Sequence, residues 1–122
     1  MAKKILFIED EEALQKTLSE ALKQEGYDVV GAFDGEEGLA MSKKSSYDLI
    51  LLDLRLPKKD GFDVLNELKS GEDTKNIPVI VLTNLETALD IQKALDLGAT
   101  TYLVKANYDL DSVLSKIEQV LK

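Results

Sequence analysis

The 122-residue chain has no cysteine and no histidine. Without cysteine there is no disulfide framework and no thiolate metal site. Without histidine, the commonest general base and metal ligand are missing, and a Ser-His-Asp triad is excluded. Any chemistry must run on carboxylates, hydroxyls and lysines. Basic residues are also in the minority, with 15 Lys and Arg against 23 Asp and Glu and a net charge of −8. Such a surface repels polyphosphate, so no direct nucleic-acid partner is expected. Long apolar runs are missing too. Leu49–Leu52 and Val79–Leu82 fall far short of the roughly 20 residues that span a bilayer. The opening Met1–Lys4 leads straight into the short run Ile5–Ile8 with no small-residue cleavage site, which argues against a signal peptide. A cytoplasmic protein without membrane association is expected, as one domain over residues 1–122 that buries a core without disulfides or structural metal.

What is present is an alternation of short apolar runs with amphipathic stretches. Ile5–Ile8, Val29–Ala32, Leu49–Leu54, Val79–Leu82 and Tyr102–Val104 read as strands, the fourth entered through Pro78. Leu14, Leu18, Ala21 and Leu22 give a helix over about Glu11–Glu25, stopped by Gly26. Asp34-Gly35 is a turn before a short helix over Glu36–Ser42, and Leu65 with Leu68 marks a third helix. Ala88, Ile91, Ala94 and Leu95 mark a fourth, closed by Gly98, and Leu110, Val113, Leu114, Ile117 and Leu121 a fifth. Strand–helix alternation implies a parallel sheet with helices on both faces, a doubly wound α/β domain. Runs that are apolar at every residue suit strands buried on both sides. The chain ends about where its last helix ends, so no output domain is expected to be attached.

In open α/β sheets, ligands bind beyond the carboxyl ends of the strands. The first strand is followed by Glu9-Asp10-Glu11-Glu12, the third ends at Asp53, the fourth at Thr83-Asn84 and the fifth at Lys105. Acids therefore meet on one rim with a hydroxyl and an amine. Crowded carboxylates raise one another's pKa and stay ionised together most readily around a divalent cation. An all-oxygen set favours a hard ion, and Mg²⁺ is the expected choice. With the charge neutralised, Asp53 could act as nucleophile toward a phosphoryl group, with Lys105 and Thr83 on its oxygens. The competing structural reading makes Asp10 a helix cap and has Glu11 and Glu12 favour the positive end of the helix dipole. For Glu11 and Glu12 that reading is preferred; for Glu9 and Asp10, expected to face Asp53, the metal is.

These motifs together resemble the response-regulator receiver family over essentially the whole length. They are Ile5-Leu6-Phe7-Ile8-Glu9-Asp10, Leu49–Asp53 running on through Leu54-Arg55-Leu56-Pro57 to Lys58-Lys59-Asp60-Gly61, Pro78–Thr83, Gly98-Ala99 and Tyr102-Leu103-Val104-Lys105. The resemblance implies a single five-stranded sheet in the flavodoxin-like order 2-1-3-4-5. It implies Asp53 as phosphoacceptor, with Glu9, Asp10, Asp53 and the backbone carbonyl of Arg55 around Mg²⁺. Thr83 and Lys105 would bind phosphoryl oxygens, and Thr83 and Tyr102 would form a switch pair. The resemblance also implies that Arg55 and Leu85 occupy positions that, in the family, tune how long the phosphoryl group lasts. The donor would be a sensor histidine kinase or phosphotransfer protein. A downstream protein would bind the face of the fourth helix, fifth strand and fifth helix, including Ala88–Leu95, Tyr102 and Asn107-Tyr108. The domain would assist its own phosphorylation and dephosphorylation without being an enzyme. Ala106 departs from the family, which has proline after this lysine, often with a cis peptide. A cis bond before alanine costs roughly 2.5–4 kcal/mol, so a trans bond or a strained loop is expected there.

The alternatives are weaker. An aspartate-nucleophile phosphatase needs a second acid two residues after the nucleophile, and that place is Arg55. A flavodoxin-like cofactor binder needs a hydroxyl- and glycine-rich phosphate loop after the first strand, where this chain has four acids and no G-x-G-x-x-G. A receiver-like interaction module that is never phosphorylated would have no use for the full residue set.

Overall fold

The computed structural model describes residues 2–83, 88–105 and 109–122; of Thr83 only the backbone is described. The elements are β1 (Lys4–Ile8), α1 (Glu12–Gln24), β2 (Asp28–Ala32), α2 (Gly35–Ser42), β3 (Leu49–Asp53), α3 (Gly61–Ser70), β4 (Val79–Thr83), α4 (Ala88–Asp96), β5 (Thr101–Val104) and α5 (Leu110–Leu121). The strands form one five-stranded sheet in the order β2-β1-β3-β4-β5. All pairings are parallel, with Ile5 opposite Leu49, Asp53 opposite Leu82 and Thr83 opposite Val104.

The strand period of two sorts the core into two layers. Leu6, Ile8, Ile50, Leu52, Val79 and Val81 face one way and pack with Val64, Leu65, Leu68 and Ala94 of α3 and α4. Ile5, Phe7, Leu49, Leu51, Ile80 and Leu82 face the other way and pack with Leu18, Leu22, Val113 and Ile117 of α1 and α5. Every residue of β3 is buried, as a central strand covered on both faces requires. The edge strand β2 is only partly covered.

Helix ends follow local chemistry. Asp34 accepts the Glu37 N–H at 2.8 Å and Asp109 the Ser112 N–H at 2.8 Å, each capping an otherwise unpaired donor. Asp60 caps α3, in line with its reading as a helix start. Gly26 and Gly98, just past α1 and α4, hold positive φ angles of 93° and 112°, which glycine adopts without steric cost. Gly61 has another task. A Cβ there would lie 2.4 Å from Leu54 Cα and 2.5 Å from the Asp53 carbonyl oxygen. The loop after β3 therefore folds back onto the strand end only because this residue has no side chain. Gly61→Ala is expected to lower unfolding free energy by about 1–3 kcal/mol, the usual cost of forcing atoms into a packed site, with urea denaturation as the measurement.

Candidate functional site

The carboxyl end of the sheet is where β1 and β3 stop and the chain turns away. Both strands are held in register by apolar neighbours, so Glu9 and Asp53 follow their strands into the rim with 0% and 3% exposure. Asp10, one residue on, is exposed. Glu9, Asp10 and Asp53 each present a carboxylate oxygen, and these atoms all lie within 4.8 Å of one another.

Lys105 arrives from the end of β5 and sits between two of them. Its Nζ lies 2.6 Å from Glu9 Oε1 and donates to Asp53 Oδ2 at 2.9 Å. Asp53 Oδ1 accepts the Arg55 backbone N–H at 3.1 Å, so both of its oxygens are held. Glu9 Oε2 accepts the Glu11 N–H at 3.1 Å. Glu11, not Asp10, is the N-cap residue of α1, and its own side chain makes no cap hydrogen bond. Glu9 holds the N–H of the cap residue itself, just outside the helix. Glu12 stands in the first turn of the helix, where its charge suits the dipole.

Glu9 Oε1 is the buried side-chain polar atom that lacks a hydrogen bond among the described residues. Its contact with Lys105 is an ion pair without hydrogen-bond geometry. Burial is the main reason its pKa rises from 4.5 to about 7; Lys105 opposes the rise and the charge of Asp53 adds to it. Desolvation, rather than the mutual repulsion that crowding suggests, is the larger cause. Burial acts to lower the Lys105 pKa, yet its contacts with Glu9 and Asp53 outweigh that and leave it raised. Three carboxylate oxygens gathered at one rim form a hard, all-oxygen donor set that suits a hard divalent cation.

The raised Glu9 pKa sets a pH dependence. Between pH 4.5 and about 7 the folded state holds a proton that the unfolded state has lost, so stability falls as pH rises through this window. Without added metal, the protein is expected to lose about 1–3 kcal/mol between pH 5 and pH 8 from this group. Guanidinium unfolding across the range reads it directly. Glu9→Gln should flatten the slope, and an unchanged slope would assign it elsewhere.

The remaining expected site residues fall as follows. Thr83 ends β4 beside Val104. Tyr102 lies on the edge strand β5, half-buried, and packs against the layer containing Val79 and Val81. Arg55 is exposed and, with Asp10, Asp60 and Phe62, lines an open cleft of about 550 Å³. Leu85, Ala106 and the Asn107-Tyr108 stretch lie outside the described residues, as does the Thr83 side chain. Sequence reasoning missed Gln15, which is buried and donates to the carbonyls of Glu9 and Ala32. A signal was available: Gln15, Leu18 and Leu22 share one helical face.

Comparison with known proteins gives one consistent result. The chain matches the response regulator receiver domain family over residues 5–118. It is 40% identical over 119 residues to the DNA-binding dual master transcriptional regulator RpaA of Synechocystis, covering 98% of this chain and 49% of that protein. The chain thus spans about half the length of this curated relative. Chemotaxis response regulator CheY4 of Vibrio cholerae superposes with a TM-score of 0.93 at 29% identity, covering 99% of this chain and 100% of that one. The receiver domain of sensor histidine kinase PA1611 from Pseudomonas aeruginosa, solved with a magnesium ion coordinated in its active-site cleft, superposes with a TM-score of 0.89 at 27% identity, covering 99% and 98%.

Proposed function

Because the chain belongs to the response regulator receiver domain family, a signalling domain of two-component systems, we propose that Asp53 is its phosphoacceptor and that Glu9, Asp10, Asp53 and the Arg55 carbonyl hold Mg²⁺. The observation that carries this reading is the convergence of the three carboxylates within 4.8 Å beside a lysine paired to two of them. The fit to the ion rests on the all-oxygen donor set, with Glu9 and Asp53 buried side by side at the rim. When bound, Mg²⁺ supplies positive charge that offsets the carboxylates and an incoming phosphoryl group.

The chain's own residues do the rest. Asp53 is oriented through both oxygens, by Arg55 N–H and by Lys105. A carboxylate oxygen attacks phosphorus of a phosphohistidine on a sensor kinase or phosphotransfer protein. The P–N bond breaks, the imidazole leaves with the bonding electrons, and an acyl phosphate forms on Asp53. Lys105 then follows a phosphoryl oxygen, Thr83 donates to another, and Tyr102 packs inward behind it. The domain thereby assists its own phosphorylation and dephosphorylation and is not a turnover enzyme. The partner face would be α4, β5 and α5, where Leu89 is 83% and Leu110 37% exposed. No helix among the described residues is long and apolar enough to cross a membrane, which suits a cytoplasmic setting.

Incubation with acetyl phosphate followed by intact mass tests the proposal. With Mg²⁺ the protein should gain the mass of one phosphoryl group, and with excess EDTA it should gain none. Folded protein that gains no mass with Mg²⁺ present overturns it.

A further inference from the structure

Gln15 lies one helical turn inside α1 and is 6% exposed. A buried primary amide is costly unless its donors are met. Here Nε2 donates to the Glu9 carbonyl at 3.0 Å and to the Ala32 carbonyl at 2.8 Å. Two carbonyl acceptors require the NH₂ end of the amide, so the orientation follows from chemistry. Ala32 O also accepts the Glu9 N–H at 2.9 Å. Glu9 is therefore tied at both main-chain groups, its N–H to β2 and its C=O to Gln15.

That carbonyl belongs to the Glu9–Asp10 peptide. Fixing a planar peptide at its oxygen fixes the direction in which the Asp10 backbone departs. The chain is leaving β1 at this point, and the first-turn donors of α1 are not otherwise capped by Glu11. The neighbouring strand keeps the space open. A Cβ at Gly31 would stand 2.3 Å from Gln15 Oε1 and 2.9 Å from its Cδ. The side chain and the glycine thus form one fitted pair across α1 and β2.

We infer that Gln15 is a positioning residue for the acidic pair: through the Glu9 carbonyl it sets the Glu9–Asp10 peptide so that both carboxylates meet Asp53 around the metal, and Gly31 exists to admit it. The inference rests on the Mg²⁺ reading above. Residues that orient metal ligands typically carry about tenfold or more in metal affinity.

The test is Mg²⁺ titration by calorimetry at a temperature where each variant is fully folded. Gln15→Met keeps the length and removes both donors; Gly31→Ala keeps Gln15 but drives its amide from the pocket. Each is expected to weaken Mg²⁺ about tenfold, and the double variant to be no weaker than either alone, because both break the same contact. Val113→Ala, a core change on the α5 side, should lower stability and leave Mg²⁺ affinity unchanged. At saturating Mg²⁺, phosphoryl uptake by Gln15→Met should return to within about threefold of wild type. Should Gln15→Met fail to fold, Gly31→Ala carries the comparison. Wild-type binding with unchanged affinity in the folded variants overturns the inference alone. Absence of Mg²⁺ binding by the wild type overturns the metal reading and this inference with it.

Discussion

Asp53→Asn is expected to fold and to accept no phosphoryl group from acetyl phosphate, a loss of at least about a thousandfold in rate, on the scale seen when nucleophilic side chains are removed. The substitution changes almost nothing in shape. The amide oxygen can still accept the Arg55 N–H that Asp53 Oδ1 accepts now. What disappears is the negative oxygen that attacks phosphorus and pairs with Lys105. An amide oxygen is a poor nucleophile, and the ion loses one anionic ligand. Asp60→Asn is the matched control, because Asp60 caps α3 and asparagine caps equally well. Uptake within about threefold of wild type is expected there. Intact mass over a time course separates the two, and uptake by Asp53→Asn would remove the nucleophile from this assignment.

Lys105→Met is expected to separate metal binding from phosphoryl transfer. In the structure the ammonium lies between Glu9 and Asp53, with only 11% of its side chain exposed. A divalent cation and this ammonium compete for the same oxygens. Removing Lys105 relieves that competition, so Mg²⁺ affinity should stay equal or rise. The phosphoryl group, however, loses a charged donor aimed at its developing charge. Preorganised donors of that kind are worth about 10²–10³-fold in rate. Calorimetry with Mg²⁺ and the rate of uptake at saturating Mg²⁺ measure the two halves. A variant that loses Mg²⁺ binding and keeps the rate would reverse the roles.

Much of the fold was legible because strong periodic signals met short, uniformly apolar runs. Ile5–Ile8, Leu49–Leu52 and Val79–Leu82 read as strands covered on both faces, and they lie in β1, β3 and β4. Element ends moved by a residue or two where a cap decided them. The second helix, read from Glu36, starts at Gly35 because Asp34 accepts the Glu37 N–H. The acids at the rim were visible as residue types placed at strand ends. Their energetics were not. Glu9 is fully buried because β1 carries it there, and that burial exceeds the repulsion that spacing suggests. Lys105 was legible as an amine at the rim, but its pairing with Glu9 depends on how β5 delivers it. The burial of Gln15 is legible from its place on the helical face of Leu18 and Leu22, but its partners are main-chain carbonyls, which no side-chain pattern records.

The most direct measurement is chemical. An acyl phosphate on aspartate is reduced by borohydride to homoserine, whereas phosphate on a hydroxyl is not. Protein treated with Mg²⁺ and acetyl phosphate, reduced with borohydride and digested, should show homoserine in place of Asp53 and at no other acid. Phosphorylated protein that yields homoserine at Asp10 or Asp60, or none at all, would contradict the role given to Asp53.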